Sequence, residues 1–100
     1  MDLDAAVAFF LAEIRRHHER EANYVRGPTI TNAQGIATVV LKRKPGCESC
    51  CLLGRHHVSN DMALRISADG QSMIACCYAK GCFRLHVEYV LDNGQWRRAL

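Results

Sequence analysis

The chain has no run of about eighteen apolar residues, which excludes a membrane-spanning helix. Its most apolar N-terminal stretch is broken by Asp2, Asp4 and Glu13 and has no basic segment before it, so it does not read as a secretory signal. Internal repeats, low-complexity tracts and linkers are also missing, which leaves one domain over residues 1–100 as the expected organisation. A strong excess of either charge is lacking too. The net charge is +3 with a pI near 8.6, which permits contact with nucleic acid without requiring it.

What the chain does have is an ordinary globular composition, 49% hydrophobic and 23% charged, which argues against wholesale disorder. In 100 residues the apolar core is small, so a metal staple would contribute materially to stability. Six cysteines supply the donors for one. Three disulfides are the other use of six cysteines, but that use belongs to exported chains. Metal-bound thiols in an intracellular compartment are therefore expected: the nucleus for a eukaryotic or nuclear viral source, the cytoplasm otherwise.

Leu3, Val7, Phe10, Leu11 and Ile14 recur at intervals of three and four, which predicts an amphipathic helix over residues 3–22 within an N-terminal segment 1–23. Asp2 or Asp4 caps its start, and Asn23, Gly27 and Pro28 end it. A pair of acids one residue apart also invites comparison with a catalytic metal site. Their position at the start of a helical pattern, with no third acid following, makes capping the expected role.

From residue 29 onward the chain reads as β-rich. Ile30, Ile36, Val39, Val40 and Leu41 suggest one or two short strands around a turn at Asn32–Gly35. Met62, Leu64 and Ile66 alternate with Ala63, Arg65 and Ser67. After Ala68-Asp69-Gly70-Gln71 the apolar Met73, Ile74 and Ala75 return, a β-hairpin. Phe83, Leu85, Val87, Tyr89 and Leu91 predict a further strand that closes on Asp92-Asn93-Gly94.

Two close pairs of metal-type donors flank the central hairpin. Six residues separate Cys50 from His57, four separate Cys77 from Cys82, and nineteen lie between the pairs. A structural Zn²⁺ needs four soft or borderline donors in a tetrahedron, each pair delivered by a tight turn, and Gly54 and Gly81 lie inside the two turns. Cys47 with Cys50, joined to Cys77 and Cys82, is the competing four-cysteine ribbon. A shift of one residue would put His56 in place of His57. Cys51 and Cys76 adjoin ligand positions and are expected to point away as small apolar side chains.

The run Cys50, Gly54, Arg55, His57, Ser59, Asn60, followed by Cys77 and Cys82, resembles the zinc-binding module of primase-polymerases and of the herpesvirus-type primase subunit of the helicase-primase. The resemblance covers about the second half of the chain. It favours Cys50, His57, Cys77 and Cys82 as the ligands of one zinc. Together with the helix and strand patterns, the expected fold is α+β, with the N-terminal helix packed on a small antiparallel sheet that carries a zinc-knuckle hairpin (Cys3His) over residues 29–100. A closed four-ligand site does not activate water, and the module lacks a catalytic core, so catalysis by this chain alone is not expected.

The implied role is in DNA priming, in which the module engages single-stranded template or the primer's 5′-phosphates beside a primase catalytic domain or subunit, with a helicase as a further partner. Arg55 offers a phosphate a bidentate fork, Lys42, Arg43 and Lys44 form a basic cluster before Pro45, and Tyr78 offers a ring to a base. Each has a plainer use: a turn contact for Arg55, a solvated strand end for the lysines and arginine, and a cover over the knuckle for Tyr78. Two other classes compete. One is a zinc-stabilised protein-interaction module. The other is a nucleobase deaminase suggested by His17, Glu19 and the Pro45–Cys50 segment, although Gly46 stands where that chemistry needs a cysteine.

Overall fold

A computed structural model of the chain describes residues 2–18, 24–44, 61–77 and 86–99. Helix α1 (Leu3–His18) begins where the sequence supplies a cap. The Asp2 carboxylate accepts a hydrogen bond from the Ala5 amide at 3.0 Å, satisfying one of the orphan donors of the first turn. Asp4, the other candidate, instead forms an ion pair with Arg26 of the first strand. Ala6, Val7, Phe10 and Ile14 lie along one side of the helix and are buried. Ala5, Ala8 and Ala12 are exposed, so the periodicity of the sequence is the periodicity of burial.

Six strands follow: β1 (Tyr24–Thr31), β2 (Ala37–Arg43), β3 (Met62–Ile66), β4 (Ser72–Cys77), β5 (His86–Asp92) and β6 (Gln95–Arg98). They form one antiparallel sheet in sequential order, a six-stranded meander in which every strand pairs with its neighbours in the chain. The architecture is α+β, with the helix on one face of the sheet.

Side-chain alternation sorts the residues between faces. Val39, Leu41, Met62, Leu64, Ile66, Met73, Ala75, Val87 and Tyr89 face α1 and form the core with Phe10 and Ile14. The Tyr89 ring meets Phe9 and Phe10 edge-on, with centroids 5.2 and 5.9 Å apart, the arrangement that matches ring edge to ring face. On the opposite face stand Val25, Ile30, Arg65 and Ile74, all exposed, together with Val40, Ala63 and Cys76, which are buried.

Three short connections are locked by local chemistry. At 32–36 the Asn32 side-chain oxygen accepts from the amides of Gln34 and Ile36, an Asx turn, and Gly35 takes φ +85°. At 67–72 the Asp69 carboxylate accepts from the Ser67 hydroxyl at 2.6 Å and from the Gln71 amide at 3.0 Å, and the Ser72 amide donates to Ser67 Oγ. These bonds hold the Asp69 carboxyl below its ordinary pKa of 3.8, the Ser67 bond contributing most. Asn93 and Gly94 both have positive φ, which suits a two-residue hairpin turn to the twist of β5 and β6.

Two elements differ from the sequence reading. Gly27 and Pro28, expected to stop a helix, lie inside β1, where the register slips between Arg26 and Thr29. Proline is tolerated there because β1 is an edge strand, and a β-bulge absorbs the amide it lacks. Residues 95–98 form a sixth strand, with Trp96 opposite Leu91, which their own pattern does not predict. The helix was expected to run to residue 22. It is described as far as His18, and residues 19–23 lie outside the described residues.

Candidate functional site

The expected hairpin between the two ligand pairs is present as β3 and β4, registered Met62 to Cys77 and Ile66 to Met73. Its neighbours extend the arrangement. Leu41 of β2 is opposite Met62 of β3, and Cys76 of β4 is opposite His86 of β5. The end of β2, the start of β3, the end of β4 and the start of β5 therefore stand side by side at one end of the sheet. These four strand ends bracket residues 44–61 and 78–85, the two connections that carry Cys50, His57 and Cys82, with Cys77 at the end of β4. Antiparallel order produces this placement: each of these connections follows an upward strand, so both leave the sheet at the same end.

Of the four proposed zinc ligands, Cys77 falls among the described residues, as the last residue of β4. Cys50, His57 and Cys82, the alternatives Cys47 and His56, and the proposed nucleic-acid contacts Arg55 and Tyr78 lie outside them. Among the described residues no three His, Cys, Asp or Glu side chains gather as a metal-binding group. Cys76 is buried on the sheet face away from α1, its Sγ 3.8 Å from the Ala63 carbonyl oxygen. It packs as a small apolar side chain.

The basic cluster at the end of β2 is partly committed to the fold. Asp61, immediately before β3, holds both of its neighbours across the ladder. One carboxylate oxygen accepts from the Arg43 backbone amide at 2.8 Å, and the other lies 3.2 Å from Lys42 Nζ. Asp61 thereby pins the two ends of the 44–61 connection together. The Lys42 side chain remains more than half exposed, so the pair is a weak one. Arg43 is half-buried, opposite the buried Tyr24, and Lys44 is half-buried as the strand ends.

Asp61 was not singled out from the sequence. The signal available was an acid directly before an alternating strand, one hairpin connection away from a Lys-Arg pair. Only the register reveals that these residues face each other.

No helix among the described residues is long and apolar enough to cross a membrane. No family model, curated protein or solved structure matches this chain.

Proposed function

We propose that the chain is a non-catalytic zinc-binding module of a DNA primase, in which Cys50, His57, Cys77 and Cys82 hold one Zn²⁺. In this reading Arg55, Lys42, Arg43, Lys44 and Tyr78 engage single-stranded template or the primer's 5′-phosphate. The observation that carries it is the shared end of the sheet. The β3–β4 hairpin and its flanking strands start both donor-bearing connections from adjacent strand ends, so one ion can close both. The Cys50–Asn60 pattern and its resemblance to primase zinc modules supply the rest. The zinc is structural, and the nucleotidyl transfer belongs to a primase catalytic domain or subunit acting beside it in an intracellular replication complex.

A second reading is favoured by one observation: Lys42 is already paired with Asp61 and Arg43 is half-buried, which reduces the charge offered to a phosphate chain. In that reading the same zinc-closed end docks onto a protein of the replication complex.

Zinc analysis of purified protein, with fluorescence anisotropy of a labelled oligothymidylate at low and moderate salt, separates the two. Primase function requires about one zinc per chain and binding that weakens steeply with salt, because neutralised phosphates release counterions. One zinc without salt-dependent binding favours the protein-docking reading. A chain that carries no zinc and folds unchanged in chelator overturns both.

A further inference from the structure

At the opposite end of the sheet from Cys76 and Cys77, the turns 32–36 and 67–72 lean on one another. A methyl placed on Gly35 would lie 3.2 Å from Ala68 Cβ, so the two turns are already in contact. Between them opens a groove of about 390 Å³, lined by Gln34, Ile36, Arg65, Ser72, Met73 and Ile74. That volume lies within the range of small-molecule clefts, ~300–1,000 Å³.

The chemistry of the lining is uneven. Its aliphatic surface comes from Ile36 and Ile74, and Ile74 is among the few large apolar side chains left exposed among the described residues. Its charge comes from Arg65 alone. Arg65 is exposed and forms no ion pair or hydrogen bond among the described residues, and its cross-strand neighbours Thr38 and Ile74 carry no charge. The Gln34 side-chain amide and the Ser72 hydroxyl also make no bond among the described residues. By contrast, the other polar groups of the turn are engaged: Ser67 with Asp69 and Ser72, and Asp69 with Gln71. A guanidinium with a donor amide and a hydroxyl near it, above an aliphatic floor, matches a carboxylate head on an aliphatic body.

The geometry points to this groove as a binding site for a medium-chain aliphatic carboxylate, with the head on Arg65 and the chain along Ile36 and Ile74. The site is independent of the zinc end and of the proposed priming role. Its shape is set by the Asx turn and the Asp69-centred turn, so the groove is preformed and little ordering opposes binding.

The test is titration of the isotopically labelled full chain with octanoate, followed by amide shifts, with octanamide and inorganic phosphate as separate probes. Octanoate is expected to give saturable shifts concentrated in residues 34–36, 65–68 and 72–74. Octanamide and the Arg65→Gln protein with octanoate should each bind at least about tenfold more weakly, since a charge-assisted bidentate contact is lost. Phosphate should bind more weakly than octanoate because it lacks the aliphatic body. Ile74→Asp, at a position already exposed, should weaken octanoate and leave the spectrum otherwise folded. The inference is overturned if octanoate gives no saturable shift, if its largest shifts lie at residues 42–44, or if Arg65→Gln binds it as well as the parent.

Discussion

The two ends of the sheet are built by different means. At one end the connections 32–36 and 67–71 are short, and each is closed by its own side chains: Asn32 in the first, Ser67 and Asp69 in the second. At the other end the connections are long, residues 44–61 and 78–85, and they contain five of the six cysteines once Cys77 at the strand end is counted with them. Loop closure costs more entropy as a connection lengthens. Short turns pay that cost with a few hydrogen bonds. The long end needs something further, and among the described residues Asp61 is the clamp that draws the 44–61 connection shut.

The largest effect is expected where neither end matters. Phe10 is fully buried between the helix and Tyr89, and Phe10→Ala should cost about 3–5 kcal/mol by urea unfolding, lowering the stability of both ends together. A variant that loosens one end and spares the other would show that the sheet is not a single cooperative unit. Asp61→Ala should cost less, about 1–2 kcal/mol, because it removes one backbone hydrogen bond from a partly buried carboxylate and a weak exposed ion pair. Its amide-exchange rates should rise around residues 42–44 and 61–62 and stay unchanged at 32–36. Equal loosening at both ends would break the comparison.

The smallest effect belongs to Asp69. Its folded pKa lies below the ordinary 3.8, so the ionised carboxylate stabilises the turn above that value, and the contribution disappears as pH falls through the lowered folded pKa. Following the Gln71 amide resonance through an acid titration should give a midpoint below 3.8. A midpoint at or above it would mean that the turn is held without the Asp69 bonds.

Much of the fold could be read from local pattern. The helix, the turns at 32–35, 68–71 and 92–94, and the β3–β4 hairpin all follow from residue spacing, because burial on one face forces a period of 3.6 or 2 and the turns need residues that tolerate positive φ. The misreadings occurred at the sheet's edges. Gly27 and Pro28 are breakers anywhere except at an edge bulge, and Gln95–Arg98 has too little alternation to announce a strand without β5 beside it. Near the candidate site, Cys76 is buried as the expected small side chain, and the expected hairpin is present. The partner of Lys42 was not legible, because Asp61 lies nineteen positions away and only strand pairing brings them face to face.

The amino-acid order by itself determined α1, the turns and the central strands, since those choices depend on side-chain size, branching and period within a few residues. Which sheet face α1 covers, how β1 accommodates its proline and which strand ends share one end of the molecule were decided by tertiary pairing. The reason is physical: burial, register and ion-pair geometry are properties of groups distant in the chain, and they take definite values only when the six strands have assembled.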